Sequence, residues 1–263
     1  MKIYILMPTY NDSSTIVYSL DSILSQNYKN YEIIIANNDS KEKKTLDFFD
    51  EYKKKYKNFK VVDCIMEFNY SRINNIAVEK ATGEYIVLLN NDTEVITGDW
   101  LKIMVGYAMQ KHIGAVGPKL LYPDETVQHG GVILGLGGVA SHAYIGATRD
   151  DFGMYGRLRV PYNYSACTAA CLMIKKTKFL EVGGLEENLK VAYNDIDFNI
   201  KLLEKGYYNV FLPNVELLHY ESKSRGLDTT SEKYKRFQLE EKYMYDKWKS
   251  KLTEDRFYNP NFS

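Results

Sequence analysis

The sequence predicts an α/β fold with a mostly parallel central sheet flanked by helices. First, short runs of β-branched and aliphatic residues alternate with segments of helical periodicity over the first 90 residues, which is typical of parallel strands joined by helices. Second, polar residues directly follow several of these runs, where such sheets bind ligands. The 263 residues are enough for one large domain of this kind.

The first half of the chain contains four short apolar runs bounded by polar or charged residues, and each predicts a strand. These strands cover residues 3–7, 31–36, 59–64 and 85–89. Apolar residues at helical spacing predict three helices, at residues 16–24, 41–57 and 71–81. Asp12 or Ser13 can cap the first helix, and one stripe of the second carries Leu46, Phe49 and either Tyr52 or Lys53.

The second half of the chain is less regular. Helices are predicted at residues 99–111, 195–205 and 231–251, the last of them amphipathic, and strands at residues 169–175, 210–212 and 215–218. Six glycines between residues 130 and 146 predict strands and a flexible loop rather than a helix. Residues 147–165 predict a long irregular loop, and such loops are often functional.

The composition narrows the classes of function. Lys plus Arg number 34, as do Asp plus Glu, so net charge gives no support for a nucleic-acid partner. Cys64, Cys167 and Cys171 fit buried thiols better than disulfides or a zinc site. No apolar stretch approaches the ~20 residues that span a bilayer, and the N-terminal run breaks at Pro8. We therefore expect a cytoplasmic protein, with lysines of the last helix either solvated or touching the inner face of the membrane.

The tetrapeptide Asn90-Asn91-Asp92-Thr93 directly follows the fourth predicted strand. It therefore lies at the carboxyl edge of the predicted sheet, where α/β proteins bind ligands. A carboxylate among small polar residues can hold a hard divalent cation against a phosphate group. Asn and Asp are also common turn formers, so the segment alone fits either a metal site or a plain turn.

Two acids and a histidine lie at the ends of later elements. Asp195 and Asp197 begin a predicted helix, where the helix dipole favours a carboxylate that could act as a base. About 200° separate the two on a helix, so only one can face a given site. His219 follows a predicted strand and could bind a metal through a neutral imidazole. Taken alone, the acids also fit helix caps and the histidine a structural role.

Further candidates follow the first two strands. The turn at residues 8–11 presents Tyr10, whose ring can stack on a base, and Asn38 can hydrogen-bond a base or ribose. An ordinary turn and a helix cap are the alternatives for these two. Arg72 and three arginines of the 147–165 loop are candidates for phosphate contacts or surface salt bridges. The same predicted sheet edge carries Tyr10, Asn38, Asp92, Asp195 and His219, and this convergence indicates a single site.

The order of these motifs resembles glycosyltransferase family 2. The matching segments are Pro8-Thr9-Tyr10-Asn11, residues 20–26 and 31–35, residues 81–92, residues 182–185, and Asn194-Asp195-Ile196-Asp197-Phe198. Residues 128–131 and 219–222 resemble a subgroup common in bacterial O-antigen and capsule gene clusters. The resemblance covers about residues 3–262.

The resemblance implies a GT-A fold, a nucleotide-diphosphate-sugar donor of the UDP or dTDP type, a divalent cation (Mn²⁺ or Mg²⁺) and inversion at the anomeric carbon. The implied acceptor is a hydroxyl of a growing bacterial surface polysaccharide or a lipid-linked glycan. By position, Asp195 would be the catalytic base, and Asp92 and His219 the metal ligands. The residues implied around the nucleotide are Pro8, Tyr10, Asn38, Arg72 and Asn91.

Three positions depart from the family pattern. Asn37-Asn38 stands where many members have an acid, so an amide would contact the base. The metal motif has one acid instead of two, so the diphosphate would have to complete the metal shell. Asn194 replaces the common Glu before the base, which removes one negative charge beside Asp195.

We expect one domain, with a nucleotide-binding half at about residues 1–95, an acceptor and catalytic half at about 96–225, and a C-terminal helix at 229–251. The chain also fits one domain of a longer protein. A Rossmann-type dehydrogenase is disfavoured because the first strand lacks the glycine-rich turn that such enzymes need. A non-catalytic sugar- or nucleotide-binding domain that retains the fold remains the alternative.

Overall fold

The computed structural model describes residues 1–221, 231–259 and 261. Its strands are β1 (Ile3–Thr9), β2 (Tyr31–Asn37), β3 (Phe59–Asp63), β4 (Tyr85–Leu89), β5 (Thr93–Val95), β6 (Ile113–Leu121), β7 (Val127–His129), β8 (Val132–Leu134), β9 (Ala140–His142), β10 (Tyr162–Tyr164), β11 (Cys171–Lys175) and β12 (Tyr208–His219). Its helices are α1 (Thr15–Leu24), α2 (Lys43–Lys55), α3 (Tyr70–Lys80), α4 (Trp100–Ala108), α5 (Lys176–Glu181), α6 (Asn194–Glu204) and α7 (Ser231–Leu252), with a 3₁₀ turn at Met154–Gly156.

The main sheet has the strand order β10-β12-β6-β11-β4-β1-β2-β3, with β5 beside β12 and β7 beside β6. Strands β3, β2, β1 and β4 are parallel, as the alternating pattern predicts. Strand β11 runs antiparallel to both β4 and β6, and β12 runs parallel to β6. Strand direction reverses from β4 to β11 and again from β11 to β6, so β6 and β12 run in the same direction as β4. Strands β1, β2, β4 and β12 therefore all end at the same edge of the sheet.

Helices cover both faces of this sheet. In β1, Ile3, Ile5 and Met7 face the core that includes α1, α2 and α4, whereas Tyr4 and Leu6 face the core that includes α3, α5 and α6. Successive side chains of a strand point to opposite faces, so a strand buried on both sides reads as a continuous apolar run. The predicted α/β fold with a mostly parallel central sheet is confirmed.

The strands of the second half differ from the prediction. The sequence pattern did not predict β6, a fully buried strand that contains two glycines, a proline and Lys119. The Lys119 ammonium, on a side chain only 2% exposed, pairs with Glu216 at 2.8 Å, so a tertiary contact makes its burial tolerable. The two strands predicted at 210–212 and 215–218 form one strand, β12, whose register shifts around Pro213 because proline cannot donate a ladder hydrogen bond.

Local predictions for α1 and α2 are met in part. Asp12 Oδ1 accepts the Thr15 backbone N–H at 2.9 Å, which is the predicted capping contact. In α2, Phe49 and Tyr52 are buried as predicted, but Leu46 is 40% exposed and Thr45 takes its place in the core. The charged composition of this helix leaves the edge of its apolar stripe poorly defined in the sequence.

Helix α7 packs along the body with several of its lysines in ion pairs. Lys242 pairs with Asp246 of the same helix, Lys247 with Asp197, and Lys251 with Glu204. Contact of this helix with a membrane remains a prediction. Within the residues that the structure describes, no helix is both long and apolar enough to cross a bilayer.

Replacing Gly131 with alanine is expected to lower the free energy of unfolding by about 2–4 kcal/mol. Gly131 has φ +101°, and a Cβ there would lie 2.4 Å from the Tyr164 ring. Urea unfolding measures the loss. The control is Gly137→Ala, which shares a positive φ (+66°) but meets no atom within 4 Å. Equal losses in the two variants would contradict the packing explanation.

Candidate active site

Four of the predicted site residues lie where strands end at one edge of the sheet. Tyr10 follows β1, Asn38 follows β2, Asp92 follows β4, and His219 ends β12. The Asn38 backbone N–H donates to the Thr9 carbonyl at 2.8 Å, which extends the β1–β2 ladder to this edge. His219 pairs in register with Thr93 of β5. Sheet topology therefore gathers residues that are distant in sequence.

Asp92 and His219 contact each other directly. Asp92 Oδ1 lies 3.2 Å from His219 Nε2, and both residues are buried. The Asp92 carbonyl accepts the Tyr220 N–H at 2.9 Å, so the backbone holds the two loops together. Asn90 Nδ2 lies 3.3 Å from the same imidazole nitrogen. The neutral neighbour in contact with this pair is therefore Asn90.

Gln128 determines which nitrogen of His219 carries the proton. His219 Nδ1 lies 2.7 Å from Gln128 Oε1. The Gln128 amide nitrogen lies 3.4 Å from the His219 carbonyl oxygen and 3.1 Å from Glu221 Oε2. Because both of these oxygens are acceptors, the amide nitrogen is assigned to their side and the amide oxygen to the side of His219 Nδ1. In neutral His219, Nδ1–H therefore donates to Gln128 and Nε2 presents a lone pair towards Asp92.

The Asp92–His219 pair fits a divalent cation. A carboxylate oxygen and an imidazole lone pair are both electron donors, and at 3.2 Å they face each other without a hydrogen between them in the neutral tautomer. Adjacent ligands of a six-coordinate cation with bonds of about 2.1 Å lie about 3 Å apart. Among the described residues no group of three or more His, Cys, Asp or Glu side chains could hold a metal. Further ligands would have to come from elsewhere, such as a diphosphate.

Asn91 is engaged by a second carboxylate. Its Nδ2 donates to Asp12 Oδ2 at 2.8 Å, while Asp12 Oδ1 caps α1. This contact joins the loop after β1 to the loop after β4. The role predicted for Asn91 at the nucleotide stays a prediction, and in this structure its amide serves to link the two loops.

Asp195 lies in the first turn of α6. Its Oδ1 accepts the Ile196 N–H at 2.8 Å, and its Oδ2 accepts the Ala169 N–H at 3.1 Å. These contacts fix the carboxylate orientation and leave it partly exposed. Asp197 is completely buried on another side of the helix, as the angle between the two positions predicts. Only Asp195 of the two can therefore serve the open site.

Tyr70 lies against the segment that Asp195 contacts. Its hydroxyl donates to the Ala169 carbonyl at 2.9 Å. Burial raises the pKa of Tyr70 above its ordinary value, and the negative charges of Asp195 and Asp92 raise it further. Asp195 Oδ2 accepts the N–H of the same Ala169, and the Asn90 N–H donates to the next carbonyl, that of Ala170, at 3.0 Å. The backbone at residues 169–170 therefore connects Asp195 to the loop after β4. No sequence motif pointed to Tyr70.

His142, which the sequence reasoning did not consider, lies in the β8–β9 hairpin beside His129 of β7. Burial lowers its pKa, the charges of Asp195 and Glu221 oppose that change, and His219 reinforces it. His142 Nδ1 lies 3.1 Å from Nδ1 of His129, a fully buried residue whose pKa desolvation holds well below its usual value. The sequence has only four histidines, and this scarcity was the one available signal.

The residues predicted around the nucleotide are less closely gathered. Tyr10 is 56% exposed, and Pro8 is buried within β1. Asn38 donates both hydrogens of its amide to backbone carbonyls, those of Cys64 and Met66, each at 2.9 Å. Arg72 is exposed, and its Nε lies 3.9 Å from Glu187 Oε2. The described contacts do not join Arg72 to the other predicted site residues.

Sequence comparison identifies the family. The model of the family described as "Glycosyl transferase family 2" matches residues 4–183. Uncharacterized protein y4gI of Sinorhizobium fredii is 43% identical over 261 residues, covering 98% of this chain and 29% of the relative. O-antigen biosynthesis protein RfbC of Myxococcus xanthus is 31% identical, covering 88% and 18%. The chain thus spans less than a third of the length of these two relatives.

Solved structures share the fold at low identity. GalNAc-T7 with UDP, GalNAc and Mn²⁺ superposes with a TM-score of 0.71 at 16% identity, covering 98% of this chain and 52% of that one. The mannosyltransferase PcManGT from Pyrobaculum calidifontis, in complex with GDP-Man and Mn²⁺, gives 0.64 at 19%, covering 86% and 58%. These similarities confirm the predicted GT-A fold. Together with the family match, they lead to the conclusion that the chain belongs to glycosyl transferase family 2.

Proposed function

We propose that the chain is the catalytic domain of a metal-dependent, inverting glycosyltransferase. It moves a sugar from a nucleotide-diphosphate sugar to a hydroxyl of a bacterial surface polysaccharide or a lipid-linked glycan. The observation that carries this proposal is the contact of Asp92 with His219 at 3.2 Å. It lies beside the backbone at residues 169–170, where Asp195 accepts the Ala169 N–H and the Ala170 carbonyl accepts the Asn90 N–H. Tyr70, whose hydroxyl donates to the carbonyl of the same Ala169, packs against this junction.

Asp92 and His219 would hold the divalent cation. A bound cation supplies charge neutralisation on the diphosphate as it leaves the sugar. Gln128 keeps the lone pair of His219 Nε2 available by accepting from Nδ1. The structural neighbours that were solved with Mn²⁺ are consistent with this assignment, although they are under 25% identical to the chain.

Asp195 would act as the base. Its carboxylate accepts the proton of the acceptor hydroxyl, whose oxygen then bonds to the anomeric carbon as the bond to the diphosphate breaks. The attack comes from the face opposite the nucleotide, so the anomeric configuration inverts. The N–H groups of Ala169 and Ile196 each donate to one oxygen of the Asp195 carboxylate, which fixes its orientation. Each oxygen keeps a second lone pair that can accept from the incoming hydroxyl.

The donor would carry a base with an N–H facing Asn38. Both amide hydrogens of Asn38 are committed to the carbonyls of Cys64 and Met66, so its oxygen is the group left for recognition. Uracil and thymine offer an N3–H donor, whereas cytosine has an acceptor at that position. The exposed ring of Tyr10 could stack on the base. These contacts favour a donor of the UDP or dTDP type over one that carries cytidine.

The acceptor class is supported by the named relatives. The O-antigen biosynthesis relative aligns over 88% of this chain, and a poly(ribitol-phosphate) beta-glucosyltransferase of Bacillus spizizenii is 36% identical over 95 residues. Both names point to bacterial surface polymers. The alternative is a binding domain without catalysis. It is separated from the enzyme by release of UDP from UDP-glucose or UDP-N-acetylglucosamine in the presence of Mn²⁺, which only the enzyme catalyses.

In the presence of Mn²⁺, UDP and dTDP are each expected to raise the melting temperature of the protein more than CDP does. Ligand at about 100 times its Kd stabilises the folded state by about 2.7 kcal/mol. Thermal shift with the three nucleotides, each with Mn²⁺ and with EDTA, measures the preference. A larger shift with CDP would contradict the role of Asn38, and equal shifts with Mn²⁺ and EDTA would contradict the metal assignment.

A further inference from the structure

One face of α7 packs against the segment that leads into the helix of Asp195. Phe237, Glu240, Met244 and Trp248 recur on α7 at spacings of three or four residues, so they share a face. Met244 belongs to the same buried cluster as Ile196 and Ile200 of α6. The contacts on either side of Met244 are polar and specific.

Glu240 holds the backbone immediately before α6. It is 3% exposed, and its two carboxylate oxygens accept the N–H groups of Val191 at 3.1 Å and Ala192 at 2.8 Å. The next residue, Tyr193, has φ +60° and caps α6 in the left-handed region, where non-glycine residues are uncommon. The Tyr193 ring packs on Phe237 with centroids 5.5 Å apart. Helix α7 therefore supports an unfavourable backbone conformation two residues before Asp195.

A second anchor lies two residues beyond Asp195. Asp197 is completely buried, and its Oδ1 accepts the Trp248 indole N–H at 2.8 Å and pairs with Lys247 at 2.7 Å. Its other oxygen pairs with Lys201 of α6 at 3.1 Å. A buried carboxylate needs such partners, because losing one leaves a charge unpaired in the core. The base thus lies between two points that α7 fixes.

The segment after α7 extends this support to the hairpin that carries His142. Asp255 Oδ2 accepts the Leu134 N–H of β8 at 2.7 Å. Leu252 is buried with Val132, Leu134 and Val139 in one cluster. The C-terminal part of the chain therefore contacts both elements that bring groups to the Asp195 side of the site.

We propose that α7 is a positioning element for the catalytic base, with Glu240 and Trp248 as positioning residues that fix the Asp195 carboxylate from behind. This inference rests on the proposed role of Asp195. Neither residue touches the reacting atoms. Each acts through residues 191–197, and a misplacement of a catalytic group by about 1 Å can cost about 100-fold in rate.

The test uses two conservative variants of the full chain. Trp248→Phe keeps an aromatic ring but removes the N–H donor, and Glu240→Gln keeps the shape but removes one of two acceptor oxygens. The control is Lys242→Gln, which alters an exposed lysine on the same helix paired only with Asp246 among the described contacts. Amide hydrogen exchange of the peptide covering residues 191–197 and Mn²⁺-dependent hydrolysis of UDP-glucose, UDP-N-acetylglucosamine and dTDP-glucose are measured for all four proteins.

We expect both variants to exchange faster at residues 191–197, with β1 to β4 unchanged, and the control to match the parent chain. Their kcat for donor hydrolysis should fall by about 10- to 100-fold, while the donor KM changes by less than about twofold. Unchanged exchange, an unchanged kcat, or equal losses in kcat and donor affinity would each overturn the inference. If the parent chain hydrolyses none of the donors, the proposed function fails, while exchange still decides whether α7 holds this segment.

Discussion

Replacing Asp195 with asparagine is expected to reduce sugar transfer by about 10²- to 10⁴-fold, the range that general-base catalysis contributes. Asparagine keeps the size of the side chain and an oxygen that can accept a backbone N–H. It cannot accept the proton of the acceptor hydroxyl, so the loss should appear in kcat. Nucleotide affinity in Mn²⁺ should stay within about twofold of the parent chain, because Asp195 is assigned neither to the metal nor to contact with the nucleobase.

Transfer or donor hydrolysis and UDP titration are measured on the same preparations. Asp99→Asn serves as the control, because Asp99 is an exposed acid that accepts from Asn27 at 2.9 Å and contacts none of the site residues described above. Turnover of Asp195→Asn near that of the parent chain would eliminate Asp195 as the base. A parallel loss of UDP binding would instead indicate that the substitution damages the site as a whole.

Replacing Asp92 with asparagine is expected to weaken UDP binding in Mn²⁺ by at least about tenfold, or about 1.4 kcal/mol. The metal motif offers one carboxylate, and the structure pairs it with the lone pair of His219 Nε2. An amide in its place removes the only negative charge that this motif could give the cation. The gain in UDP affinity on adding Mn²⁺ should largely disappear.

Calorimetric titration of UDP, with Mn²⁺ and with EDTA, measures both effects. Glu94→Gln is the matched control, since Glu94 lies two residues away and its carboxylate accepts the Tyr220 hydroxyl at 2.8 Å. A general effect of charge near this loop would weaken binding in both variants alike. An unchanged Mn²⁺ dependence in Asp92→Asn would show that the cation binds elsewhere.

Several site residues were predictable because short-range patterns place them at the ends of elements. Asp92 follows an apolar run and Asp195 begins a periodic segment, so each could be assigned to a strand end or a helix start. The separation of Asp195 from Asp197 also followed from helical geometry alone. Family resemblance then supplied roles that spacing could not.

Other features depend on contacts between distant residues. Whether Asn90 or Asn91 contacts His219 depends on Asp12, which engages the Asn91 amide from a loop 79 residues away in sequence. His142 contacts His129 only because a hairpin folds next to the end of β7. Strand β6 was not predicted because glycine, proline and lysine are uncommon in strands. Contacts with neighbouring elements, such as the ion pair of Lys119 with Glu216, stabilise these residues in β6.

The sequence by itself determined the α/β class, the first four strands and the family, and it named Asp92 and Asp195 as the candidate acids. Local periodicity and motif order carry that information, and neither requires knowledge of the fold in three dimensions. Only the tertiary structure decided the pairing of Asp92 with His219, the contact of Gln128 with His219 Nδ1 and the contacts of α7 with the segment before Asp195. These depend on strand order and helix packing, which bring together residues separated by about 50 to 130 positions.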